Sequence, residues 1–125
     1  MIARRLSSKA LAFAILMLPI AISVGCRSYH VEVTVENHTG ASIQILEVDY
    51  PSASFGADAL AADANFHYRI QVQGRGQLKV QYTESGGHQE QITGPVLAEG
   101  EHGSLTIVLL PSGKADFHTQ LSPGR

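Results

Sequence analysis

From Val31 onward, apolar and polar side chains alternate with the two-residue period of a half-buried strand. Val31, Val33 and Val35 alternate with Glu32, Thr34 and Glu36. Phe66, Tyr68, Ile70 and Val72 alternate with His67, Arg69 and Gln71, and Leu78, Val80 and Tyr82 with Lys79 and Gln81. Leu105, Ile107 and Leu109 form one face of a late strand, and Ala115, Phe117, Thr119 and Leu121 one face of the next. A further strand is expected over His88 to Thr93. The apolar phase changes between Ile45 and Leu46, which predicts a β-bulge or a strand bending from one sheet to another.

Parity suggests three hairpin registers, with Val72 opposite Leu78, Val35 opposite Ile43 and Leu109 opposite Ala115. Each leaves a three-residue loop ending in glycine: 74–76, 38–40 and 111–113. Such loops close with a residue in the left-handed region, so positive φ is expected at Gly40, Gly76 and Gly113. Residues 51–65 read as an irregular crossing between sheets, with a helical turn from Asp58 to Ala64 and with Phe55 and Leu60 pinning it to the core. Gly94 to Gly103 reads as a second crossing. The fold class expected is all-β: about seven antiparallel strands in a two-sheet, immunoglobulin-like sandwich. The Cys–Trp–Cys pattern of immunoglobulin domains is absent, because the chain has one cysteine and no tryptophan.

The N-terminal segment has a different character. Arg4, Arg5 and Lys9 precede an apolar run from Ala10 to Gly25, which contains Pro19. A spanning helix needs roughly 20 apolar residues, so this shorter run reads as an export signal. It ends Ile22-Ser23-Val24-Gly25-Cys26. The division expected is a signal peptide over 1–25, a sandwich domain over 26–121 and a mobile tail over 122–125. After Cys26 there are six Lys and Arg against 11 Asp and Glu, a formal charge of −5. That balance excludes nucleic acid as a partner, since phosphate binding needs clustered cations.

Gly25-Cys26 resembles the bacterial lipobox, with Ser23 where leucine is usual. The resemblance implies lipidation: Cys26 would receive a diacylglyceryl group, become the mature N-terminus and anchor the chain to a membrane. Similarity to enteric lipoproteins implies sorting to the outer membrane, facing the periplasm, because Arg27 stands where an inner-membrane retention signal has Asp. The turns and core positions, among them Thr39-Gly40, Asp49-Tyr50-Pro51, Ser54-Phe55-Gly56 and Gly103-Ser104-Leu105, are similar to those of small uncharacterised bacterial lipoproteins.

Candidate chemistry is sparse. His30, His38, His67, His88, His102 and His118 form no close ligand pair, yet a zinc or copper carrier or sensor stands as the alternative to a plain binding module. There is no Gly-x-Ser-x-Gly elbow, and the one cysteine is assigned to lipid, so no enzyme activity, catalytic residue, metal ligand or cofactor is expected. Ser52, Ser54 and His67 with Asp49 form a chance-level nucleophile set. The candidate binding surface is His67, Arg69, Gln71, Lys79 and Gln81. Placed on one hairpin, they would form a basic and amide patch on an acidic domain, suited to an acidic envelope protein or a glycan. The function expected is a membrane-anchored, non-catalytic binding or assembly module of the cell envelope.

Overall fold

A computed structural model describes residues 29–124, so the signal segment and Cys26 lie outside the described residues. Eight strands follow in order: β1 (Val31–Asn37), β2 (Ile43–Tyr50), β3 (Ala53–Leu60), β4 (Asn65–Ile70), β5 (Gly76–Glu84), β6 (Gln89–Leu97), β7 (His102–Leu110) and β8 (Lys114–Ser122). They form two four-stranded sheets, ordered β4-β1-β7-β8 and β3-β2-β5-β6. No α-helix occurs among the described residues.

Alternation builds this sandwich directly. Val31, Val33 and Val35 point inward from β1, as do Leu105, Ile107 and Leu109 from β7, and all six are fully buried. From the other sheet Ile43, Leu46 and Val48 of β2 and Leu78, Val80 and Tyr82 of β5 meet them. Burying each large aliphatic side chain contributes roughly 1.5–3 kcal/mol, and the core has no disulfide to assist it. The sandwich is closed along both sides. Phe55 of β3 stacks on Tyr68 of β4, ring centroids 4.7 Å apart. Opposite, the Phe117 ring of β8 lies over Gly94 of β6.

The bulge is where the phase change predicts it. Ile45 has φ 52, and the β2–β5 register slips between Gln44 and Glu47. The β7–β8 hairpin keeps the predicted register, Leu109 opposite Ala115.

Two other hairpins are not formed. β1 lies between β4 and β7, so it has no free edge for β2, and the chain crosses to the other sheet after Asn37. Val72 likewise lies in a crossing and Leu78 in β5 beyond it, with β4 in one sheet and β5 in the other. Gly40 and Gly113 have the expected positive φ, 95° and 70°. Gly76 instead begins β5, and Gly74, φ 84, makes the turn. Pairing is antiparallel except for β1 with β7, which run parallel.

Residues 51–65 are not a crossing with a helical turn. Ala53–Leu60 is a full strand joined to β2 through Pro51 and Ser52, and only residues 61–64 cross. Phe55 and Leu60 do anchor it, 7% and 6% exposed. β6 runs on to Leu97, which shortens the second crossing, and β8 takes in Ser122.

Candidate functional site

The five candidate binding residues fall on separate surfaces. His67 and Arg69 are on the outer face of the first sheet, where β4 pairs with β1. Lys79 and Gln81 are on the second sheet, opposite Asp49 and Glu47 of β2. Gln71 is in the crossing between them, its carbonyl accepting from the Ser52 hydroxyl at 3.3 Å. The single hairpin patch therefore does not exist. Parity orients side chains inward or outward but does not choose the neighbouring strand.

What the fold brings to His67 and Arg69 is Glu32, 35 and 37 residues earlier. Arg69 Nε donates to Glu32 Oε2 at 2.7 Å. His67 Nε2 lies 2.8 Å from Glu32 Oε1, and Thr34 Oγ1 lies 3.1 Å from His67 Nδ1. The network is satisfied when His67 donates through Nε2 to the carboxylate and accepts the Thr34 hydroxyl at Nδ1. Arg69 and His67, in that order, hold the Glu32 carboxyl below its ordinary range. The positive charge expected of this surface is thus largely neutralised in place. The Arg69 and His67 side chains are 62% and 59% exposed and that of Glu32 38%, so water screens the ion pair and it adds little to stability.

Hydroxyl, imidazole and carboxylate in a row have the composition of a nucleophilic relay. β1 is paired on both sides, by β4 and β7, so its backbone N–H groups are taken up in the ladders and none is aimed at a developing oxyanion beside Thr34.

The remaining histidines are dispersed. His38 and His88 each sit 3.4 Å from a glutamate, Glu36 and Glu90. His118 is opposite Thr106 on the first sheet, and His102 stacks on Tyr29 at 4.7 Å. Among the described residues no three His, Cys, Asp or Glu side chains converge as metal ligands.

Comparison with known proteins bears on the fold alone. No protein-family model matches the chain, and no curated protein matches it. Among solved structures it is similar to the NMR structure of a protein from Eubacterium rectale, at 11% identity and a TM-score of 0.55, covering 81% of this chain and 98% of that one. The chain is a small all-β domain.

One end of this domain carries the larger set of loops. β1 runs toward that end, and β7 runs parallel to it. The 38–42, 61–64, 85–88 and 111–113 connections therefore cluster there. A cavity of about 250 Å³ lies among them, lined by Thr39, Ser42, Glu84, Ser85 and Ser112 over Ile43. It falls just below the usual range for small-molecule sites, about 300–1,000 Å³, and its only charged lining group is the Glu84 carboxylate. Sequence reading missed it because its residues come from three loops that only the sheet order assembles.

Proposed function

We propose that this chain is a lipid-tethered, non-catalytic binding module of the bacterial cell envelope, anchored through an acylated Cys26 at the outer membrane. The observation that carries the reading is Gly25-Cys26 after a basic and then apolar segment, placed just before the fold begins. Only Arg27, Ser28, Tyr29 and His30 separate Cys26 from β1. Extended, that link reaches about 17 Å. A lipid on Cys26 would hold the start of β1 near the bilayer and turn the loop end, with its hydroxyl-lined cavity, toward the aqueous phase. Several acyl chains, each CH₂ contributing about 0.8 kcal/mol on burial, would make the attachment near-permanent. The β1 amides beside Thr34 are committed to sheet pairing on both sides, which favours binding over catalysis.

Metabolic labelling with a radioactive fatty acid tests the anchor. Label is expected in the wild-type chain and absent from Cys26→Ser, which leaves the membrane fraction or stalls during export. Label that persists in Cys26→Ser contradicts the reading.

A further inference from the structure

Four strands lie at sheet edges, and three of them carry features that discourage pairing with another chain. β4 presents His67 and Arg69, β6 contains Pro95, and β8 carries Lys114, Asp116 and His118. β3 is different. It is hydrogen-bonded only to β2. Its eight residues, Ala-Ser-Phe-Gly-Ala-Asp-Ala-Leu, include no proline, no basic residue and the single charge of Asp58. A strand of that length presents about 26 Å of unpaired backbone.

Beside this edge the bulge in β2 opens a hollow of about 510 Å³ on the outer surface. Ile45 is turned out there and is 64% exposed, the most exposed large apolar side chain among the described residues. The hollow is also lined by Glu47, Ser54, Gly56 and Asp58 and by no basic residue. A side-chain hydrogen bond with Asp49, and then the Asp49 charge, raise the Glu47 carboxyl above its ordinary range, so negative charge on this surface is crowded.

We propose that β3 is a strand-addition site for an extended segment of a partner protein that carries Lys or Arg two residues from an apolar residue, on the same face. The partner's backbone would pair with β3, and its alternate side chains would reach the hollow. Its apolar residue would cover Ile45, and its cation would meet Glu47 and Asp58. Charge complementarity selects this occupant over a second copy of the chain. A second β3 would bring another Asp58 and another acidic hollow, on a domain whose formal charge after Cys26 is −5. The inference does not depend on acylation of Cys26.

The test uses the full chain in detergent and two short capped peptides of alternating Val and Thr, one carrying Arg at a central position and one carrying Glu there. Amide shifts and hydrogen exchange are followed by NMR. The Arg peptide is expected to protect amides within Ala53–Leu60 and to bind about tenfold tighter than the Glu peptide. Glu47→Lys with Asp58→Lys, both at exposed positions, is expected to reverse that order with the amide spectrum still that of a folded sandwich. Three results overturn the proposal: no binding of the Arg peptide, equal binding of both peptides, or perturbation at β4, β6 or β8 instead. Protection of β3 that grows with protein concentration alone also overturns it, because the occupant would then be a second copy.

Discussion

Tyr82 shows how much a single position says about this core. It points inward from the middle of the second sheet, 2% exposed, and its hydroxyl has no hydrogen-bond partner among the described residues. Burial, with smaller contributions from Glu90 and Glu84, pushes the phenol up to about 12. The folded state therefore favours the neutral form. Its contribution is complete below the unfolded value near 10 and is lost as pH rises from there through about 12. Denaturant midpoints between pH 9 and pH 12 are expected to fall more steeply in the wild type than in Tyr82→Phe. At neutral pH Tyr82→Phe is expected to be neutral or about 1 kcal/mol more stable, since it removes an unpaired buried group. A Phe variant that loses stability at neutral pH would show that the hydroxyl has a partner in solution. Glu32 works in the opposite sense. Its lowered carboxyl contributes above the ordinary carboxylate range and that contribution is lost as pH falls through the lowered value, and solvent screening keeps it small.

At the scale of elements, the crossing from β1 to β2 rests on Asn37, the one buried polar or charged residue of the core among the described residues. Its Nδ2 donates toward the carbonyls of Ala41, Leu60 and Ala61 at 2.8–3.1 Å. Its Oδ1 accepts from the Thr39 N–H and hydroxyl. One amide thus ties the end of β1 to the next loop and to the β3–β4 crossing. Asn37→Ala is expected to cost on the order of 3 kcal/mol, because it leaves buried carbonyls without donors. Asn37→Asp should be damaging too, since a carboxylate cannot donate to them. Urea unfolding of both variants measures this, and a loss below about 0.5 kcal/mol in each would refute the role. The same region marks the limit of what alternation reveals. The inward faces of β1, β5, β7 and β8, the bulge at Ile45 and the β7–β8 register were all legible, because each depends on local period or a short loop. Sheet membership was not. Val35 and Ile43 both point inward whether β1 and β2 pair or face each other across the core, so parity fits either arrangement. β3 escaped notice because Ala, Ser and Gly give little apolar contrast, although Phe55 and Leu60 were read as core.

For the whole molecule, the candidate site was legible only in pieces. His67 and Arg69 do share a surface, but Glu32, the residue that sets their charge, is recognisable only once β1 is known to lie beside β4. Lys79 and Gln81 belong to the other sheet for the same reason. The proposed anchor is a matter of local sequence, and it would govern what the rest of the molecule presents. With Cys26 tethered, the loop-end cavity would face outward and the β3 edge would run up the flank. The most direct measurement is intact mass spectrometry of the full chain expressed in a bacterial host and extracted from its membranes. The predicted result is a chain that begins at Cys26, lacks residues 1–25 and carries diacylglyceryl and N-acyl mass on that cysteine. A chain that keeps residues 1–25, or that carries a free thiol at Cys26, would contradict the account.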